Sequence, residues 1–160
     1  MTLRDHLDLN AISTVNLSGR GGKEVLVGSL LPNWNRVSEA LYDYSKPSHN
    51  LRAEIKKQAN LQWFDVGKYY KISDSDRSIW MIFINHEDGC ISSIFACTLG
   101  QFCDTLLSSP HYQKLGWHPE VFSVAHKFKK DFPALQFKVK AEILRVARDF
   151  PSLFEVIYKK

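Results

Sequence analysis

The sequence predicts an α+β fold in which a central antiparallel sheet, built as a meander, is flanked by helices and followed by a helical or mixed C-terminal extension. Three observations carry that prediction. Ser78 to Asn85 (SIWMIFIN) is apolar on both faces, with Ile79, Met81 and Phe83 on one side and Trp80, Ile82 and Ile84 on the other, as a central strand covered from both sides requires. His86-Glu87-Asp88-Gly89 then supplies turn chemistry, Gly89 accepting positive φ, before Cys90 to Ala96 (CISSIFA) returns as the second arm of a hairpin. Thr98-x-x-Gln101 matches a capping box, and Leu99, Phe102, Cys103, Leu106 and Leu107 follow at helical spacing, giving a helix that packs on the sheet.

The remaining elements follow in chain order. Thr14 to Ser18 and Glu24 to Ser29 read as short strands around the glycine-rich turn Gly19-Arg20-Gly21-Gly22-Lys23. That turn fails the phosphate-loop frame, because the leading glycine is absent and Lys23 is followed by Glu24. Pro32 and Asn33 open a helix with Trp34, Val37, Leu41 and Tyr44 on one face, ended by Lys46-Pro47. Ser48 caps a second helix carrying Leu51, Ile55 and Ala59. Tyr69 to Ser73 is the first strand of the meander, joined to the central strand by the polar loop Asp74-Ser75-Asp76-Arg77. After the capped helix, His118-Pro119-Glu120 starts a helix with Val121, Phe122, Ala125 and Phe128 on its apolar face. From Leu135 two periods compete: Leu135, Phe137, Val139, Ala141 and Ile143 alternate as in a strand, while Leu135, Val139, Ile143, Val146, Ala147 and Phe150 fit a helix. Composition favours one helix from about Pro133 to Asp149, and Pro151 to Tyr158 forms a last short helix or strand.

At 160 residues and 44% hydrophobic content the chain buries a real core without staples, and residues 1–160 read as one domain: a core over 1–110 and a basic extension over 111–160. Residues 1–110 hold 11 Lys/Arg against 12 Asp/Glu, and 111–160 hold 10 against 5, so the basic surplus is local to the C-terminal third. Such a surplus steers an acidic partner, nucleic acid or protein, or is an ordinary solvated face. No apolar run reaches the length of a membrane span, and the charged start MTLRDHLDLN does not read as a signal peptide, so a cytoplasmic protein with no membrane partner is expected. Cys90, Cys97 and Cys103 are odd in number and lie in apolar patterns, which reads as buried free thiols.

Catalytic chemistry finds no anchor. Cys90 or Cys97 with His86, Glu87 and Asp88 is the one tempting nucleophile set, but the two sulfurs have opposite strand parity and read as core residues. His111, His118 and His126 are spaced by seven and eight, without the pairing that sets two ligands on one helical turn. No catalytic residue, metal or cofactor is therefore expected. Binding candidates are the aromatics Trp63, Tyr69 and Tyr70, the turn residues His86, Glu87 and Asp88, and the basic positions Lys138, Lys140, Arg145 and Arg148.

Leu31-Pro32 before a short helix, a meander ending in His86-Glu87-Asp88-Gly89, and a strand entering a helix of the form Thr98-Leu99-x-Gln101-Phe102-x-x-x-Leu106-Leu107 together resemble the SUKH superfamily of bacterial immunity and regulatory proteins. The resemblance spans about residues 24–109 and rests on order and pattern; the C-terminal fifty residues have no counterpart in it. It implies an α+β domain whose sheet and loops bind and neutralise polymorphic toxins, and which is not an enzyme. The expected function is accordingly a non-enzymatic protein-binding module, an inhibitor or immunity-type factor in bacterial or phage conflict, with a toxin or defence component as partner. The alternative is a nucleic-acid-associated accessory protein using the basic C-terminal third.

Overall fold

The computed structural model describes residues 2–14, 17, 28–39, 41–59, 64–65, 72–108, 140–141 and 143–160, with backbone alone described at 58–59, 64–65, 106–107, 140–141 and 143–145. They form an α+β fold. The strands are β1 (Asn35–Arg36), β2 (Tyr44–Lys46), β3 (Leu51–Ala59), β4 (Phe64–Asp65), β5 (Trp80–Glu87), β6 (Cys90–Thr98), β7 (Lys140–Ala141) and β8 (Glu155–Lys159); the helices are α1 (Leu99–Ser108) and α2 (Ile143–Asp149). The chain divides into two compact units: Met1–Leu61, Trp80–Ala96 and Glu155–Lys160 make the first, Gln62–Ile79 and Cys97–Phe154 the second. Among the described residues no helix is long and apolar enough to cross a membrane.

The first unit is a mostly antiparallel six-stranded sheet in the order β1-β2-β3-β5-β6-β8. At its centre β3 and β5 run parallel, from Ala53↔Trp80 to Ala59↔His86. The two-sided apolar pattern of β5 suits this place: Ile82 and Ile84 join the core on one face, and Met81 and Phe83 on the other are completely buried. On β3, Ala53 and Ile55 face the same core, and on the opposite face Glu54 is 4% exposed. Its carboxylate lies 2.8 Å from the Lys56 ammonium two residues on, since burying a carboxylate demands such a partner.

β8 closes one edge with an irregularity: Ile94 pairs with Tyr158 and Phe95 with Val156, so Ile157 is skipped. The extra residue turns Ile157 into the core, where it is 1% exposed. Two 3-10 turns, Leu3–His6 and Leu9–Thr14, bring Leu3, Leu7 and Ile12 into that core. The first turn is capped by Asp5, whose carboxylate accepts from the Thr2 amide at 2.7 Å. It is tied to β8 by the Arg4 guanidinium, which donates to the carbonyls of Val156 and Ile157.

In the second unit α1 begins as its sequence dictates. The Thr98 amide donates to Gln101 Oε1 at 3.0 Å and the Gln101 amide to Thr98 Oγ1 at 3.2 Å, the reciprocal capping box. The Leu99 amide donates to the Ile79 carbonyl at 2.8 Å. Phe102 is fully buried and meets the Phe154 ring at 6.5 Å. β4 and β7 form a separate two-stranded ladder, Phe64↔Ala141 and Asp65↔Lys140.

Several expectations need correction. The helices expected from Pro32 and from Ser48 are absent: β1 and β2 occupy the first stretch and β3 the second. Leu51, Ile55 and Ala59 satisfy helical spacing, but with Ala53 between them they also satisfy period two, and pairing with β5 decides for the strand. The neighbour of the central strand is not the expected first arm of the meander but β3. Residues 69–71 lie outside the described residues, 72 and 73 are outside any strand, Ser75–Ser78 is a 3-10 turn, and β3 takes the place beside β5. Of the helix expected from about Pro133 to Asp149, Ile143–Asp149 is helical and Lys140–Ala141 is strand β7, while 133–139 and 142 lie outside the described residues; Glu155–Lys159 is a strand. Thr14 ends a 3-10 turn and residues 28–30 are helical, in place of the strand ends expected there. The 19–23 loop and the 118–130 helix lie outside the described residues.

Candidate functional site

The β5–β6 turn is built from two residues with positive φ, Asp88 at 51° and Gly89 at 81°. This is the backbone twist that a two-residue hairpin loop needs, and Asp-Gly is among the pairs that adopt it with least strain. The turn is anchored from outside the hairpin, since the Leu17 amide donates to the Gly89 carbonyl at 2.8 Å. Lys57 in turn donates from Nζ to the Leu17 carbonyl at 3.3 Å. Within the hairpin Ser92 Oγ donates to the Asn85 carbonyl at 3.1 Å. The result is a tip tied to Leu17, presenting the exposed carboxylates of Glu87 and Asp88.

Behind those carboxylates His86 is half-buried. Burial, and then the nearby Lys57 charge, hold its pKa below the ordinary imidazole value, so the ring is neutral near pH 7. The buried atoms His86 Nδ1 and Asn85 Oδ1 have no hydrogen-bond partner among the described residues. His86, Glu87 and Asp88 are thus brought together as the sequence suggested, on one strand end and its turn. Trp63, Tyr69, Tyr70 and Lys138 lie outside the described residues. Lys140 is on β7 and Arg145 on α2; Arg148, also on α2, is exposed and 4.0 Å from its neighbour Asp149.

The cysteines divide. Cys90 is exposed beside the turn, contrary to the expectation of a buried thiol, because it starts β6 next to the solvent-facing tip. Cys97 and Cys103 are buried and free; burial raises the Cys97 thiol far above the range in which it ionises and pushes Cys103 up to about 12. Thiols so protonated are poor nucleophiles. Among the described residues no group of three or more His, Cys, Asp and Glu side chains is arranged to hold a metal ion.

A second polar cluster lies at the start of the chain. His6 is 6% exposed, its Nδ1 is 3.1 Å from Lys46 Nζ, and its ring stands edge-on to His49 at 4.5 Å between centroids. Trp34 Nε1 donates to the His6 carbonyl at 3.0 Å. Burial first, then Lys46 and His49, lower the His6 pKa.

One arrangement escaped the sequence reading. Arg77, placed by the 3-10 turn Ser75–Ser78, lies across the first turn of α1 and donates through both terminal nitrogens to Asp104, at 3.2 and 2.5 Å. The crossing is possible because position 100 has no side chain: a Cβ on Gly100 would stand 3.0 Å from Arg77 Cβ and 3.0 Å from its Nη2. The available signal was that glycine, since glycine inside a helix costs about 1 kcal/mol against alanine and marks a close approach. Beside the pair, Gln101, Asp104 and Thr105 from α1 and Phe150, Ser152 and Leu153 from the turn after α2 line an open cleft of about 410 Å³.

No protein-family model matches the chain, and no curated protein is similar to it.

Proposed function

We propose that the protein is a non-enzymatic binding module for another protein, an inhibitor or immunity-type factor of bacterial or phage conflict acting in the cytoplasm. The observation that carries this reading is the acidic hairpin tip, in which Glu87 and Asp88 stand exposed on a turn fixed by the Leu17–Gly89 hydrogen bond. A tip already ordered before contact loses little conformational freedom on binding, and its two carboxylates suit a basic partner surface. The resemblance to the SUKH superfamily supports the same reading, as does its picture of a sheet flanked by helices that offers loops to a toxin.

The test is affinity capture from the native host, with and without nuclease treatment, using wild type and the variant Glu87→Gln/Asp88→Asn. That variant removes both charges while asparagine keeps the left-handed turn position. The expected result is a protein partner retained after nuclease and lost or strongly weakened with the variant. Nuclease-sensitive capture indifferent to the tip would replace this reading with nucleic-acid binding, for which affinity falls steeply with salt.

A further inference from the structure

We infer that the cleft between α1 and the turn after α2 receives a lysine or arginine side chain from a partner protein; this rests on the protein-binding reading above. Three features select such an occupant. The volume, about 410 Å³, is at the small end of the range for ligand sites and fits one long side chain better than an extended surface. Among the described lining residues Asp104 is the sole charged one, and its side chain is 62% exposed. The turn after α2 adds Phe150 and Leu153 to the lining. A lining that combines apolar side chains with a carboxylate matches an amphipathic cation, whose methylene stem covers apolar surface while its charged head stays at a polar rim.

Asp104 keeps acceptor capacity for this role. Its two oxygens each accept one hydrogen bond from Arg77, whereas an ionised carboxylate offers about four lone-pair sites. Arg77 therefore orients the carboxylate and also competes with the incoming cation. The hydroxyls of Thr105 and Ser152 line the same cleft as further acceptors. An anionic occupant would find no cation among the described lining residues, since the Arg77 guanidinium beside the cleft is already engaged by both Asp104 oxygens.

The competition gives the test a direction that a structural ion pair alone does not predict. The full chain, labelled with nitrogen-15, is titrated with Nα-acetyl-arginine N-methylamide and separately with the glutamate analogue, and amide shifts are followed by NMR. The expected result is saturable shifts centred on Gln101, Asp104, Thr105, Ser152 and Leu153 with the arginine derivative only. Arg77→Gln should tighten the site several-fold by freeing the carboxylate. Ser152→Phe, a filling change on an exposed turn, should abolish binding while leaving the rest of the spectrum in place. Absence of saturable shifts, equal response to the glutamate analogue, or an Arg77→Gln affinity that is unchanged or weaker would overturn the inference. None of these readouts depends on the hairpin tip, so their failure is distinguishable from failure of the protein-binding reading.

Discussion

Acidification should loosen the first unit through His6. Its ring is 6% exposed, takes a hydrogen bond from Lys46 at Nδ1, and stands against the His49 ring, so a proton placed on it would lose hydration and face the Lys46 charge. Asp5 opposes this. The folded-state pKa is thus below the ordinary value of 6.5, which the unfolded chain retains. The linked stability is therefore fully present above that value and is lost as pH falls from it towards the folded pKa. Within that window one differential proton gives a slope of about 1.4 kcal/mol per pH unit, a large share of a total near 5–15 kcal/mol. Urea unfolding at closely spaced pH values between about 7.5 and 5 measures the slope. His6→Asn is the control, since its amide oxygen can still accept from Lys46 but does not titrate. The variant should be less stable at pH 7.5 and show a shallower acid slope. Equal slopes for the two proteins would refute the assignment of the acid response to His6.

Three further outcomes are expected. Ile82→Asp should yield no folded protein, because an unpaired carboxylate in the sheet core costs several kcal/mol; a soluble variant with a cooperative melt would contradict the two-sided burial of β5. Of the three thiols, Cys90 alone should react quickly with a disulfide reagent in native buffer and all three in denaturant, counted by absorbance; fast native modification of Cys97 or Cys103 would contradict their burial. Gly100→Ala should uncouple Arg77 from Asp104: a double-mutant cycle on that pair should give a measurable coupling in wild type and none in the G100A background, and an undiminished coupling there would show that the close approach is unnecessary.

The elements legible in advance were those whose local chemistry allows one answer. The apolar stretch expected as a strand over Ser78 to Asn85 is one, shifted to Trp80–Glu87 because Ser78 closes a 3-10 turn, the turn narrows from His86–Gly89 to Asp88-Gly89, and Thr98 with Gln101 closes a helix start reciprocally. The candidate tip at His86, Glu87 and Asp88 came with that hairpin. Each depends on residues within a few positions of one another, so the relevant energies are already present in the chain.

Where two periodicities fit, tertiary structure decided. Leu51, Ala53, Ile55 and Ala59 serve a helix or a strand, and the parallel ladder to β5 makes β3 a strand because β5 needs a second hydrogen-bonding neighbour. The same holds at 140–149, where pairing with β4 claims Lys140–Ala141 and leaves the helix to begin at Ile143. The Arg77–Gly100–Asp104 contact joins groups 27 residues apart, and no local rule announces which distant arginine a helical glycine admits. The residues alone thus determined the central strand, its turn and the helix cap. Strand order, the parallel pair, the exposure of Cys90 and the cleft beside Asp104 were decided by the fold, because each depends on which surfaces the closed chain brings together.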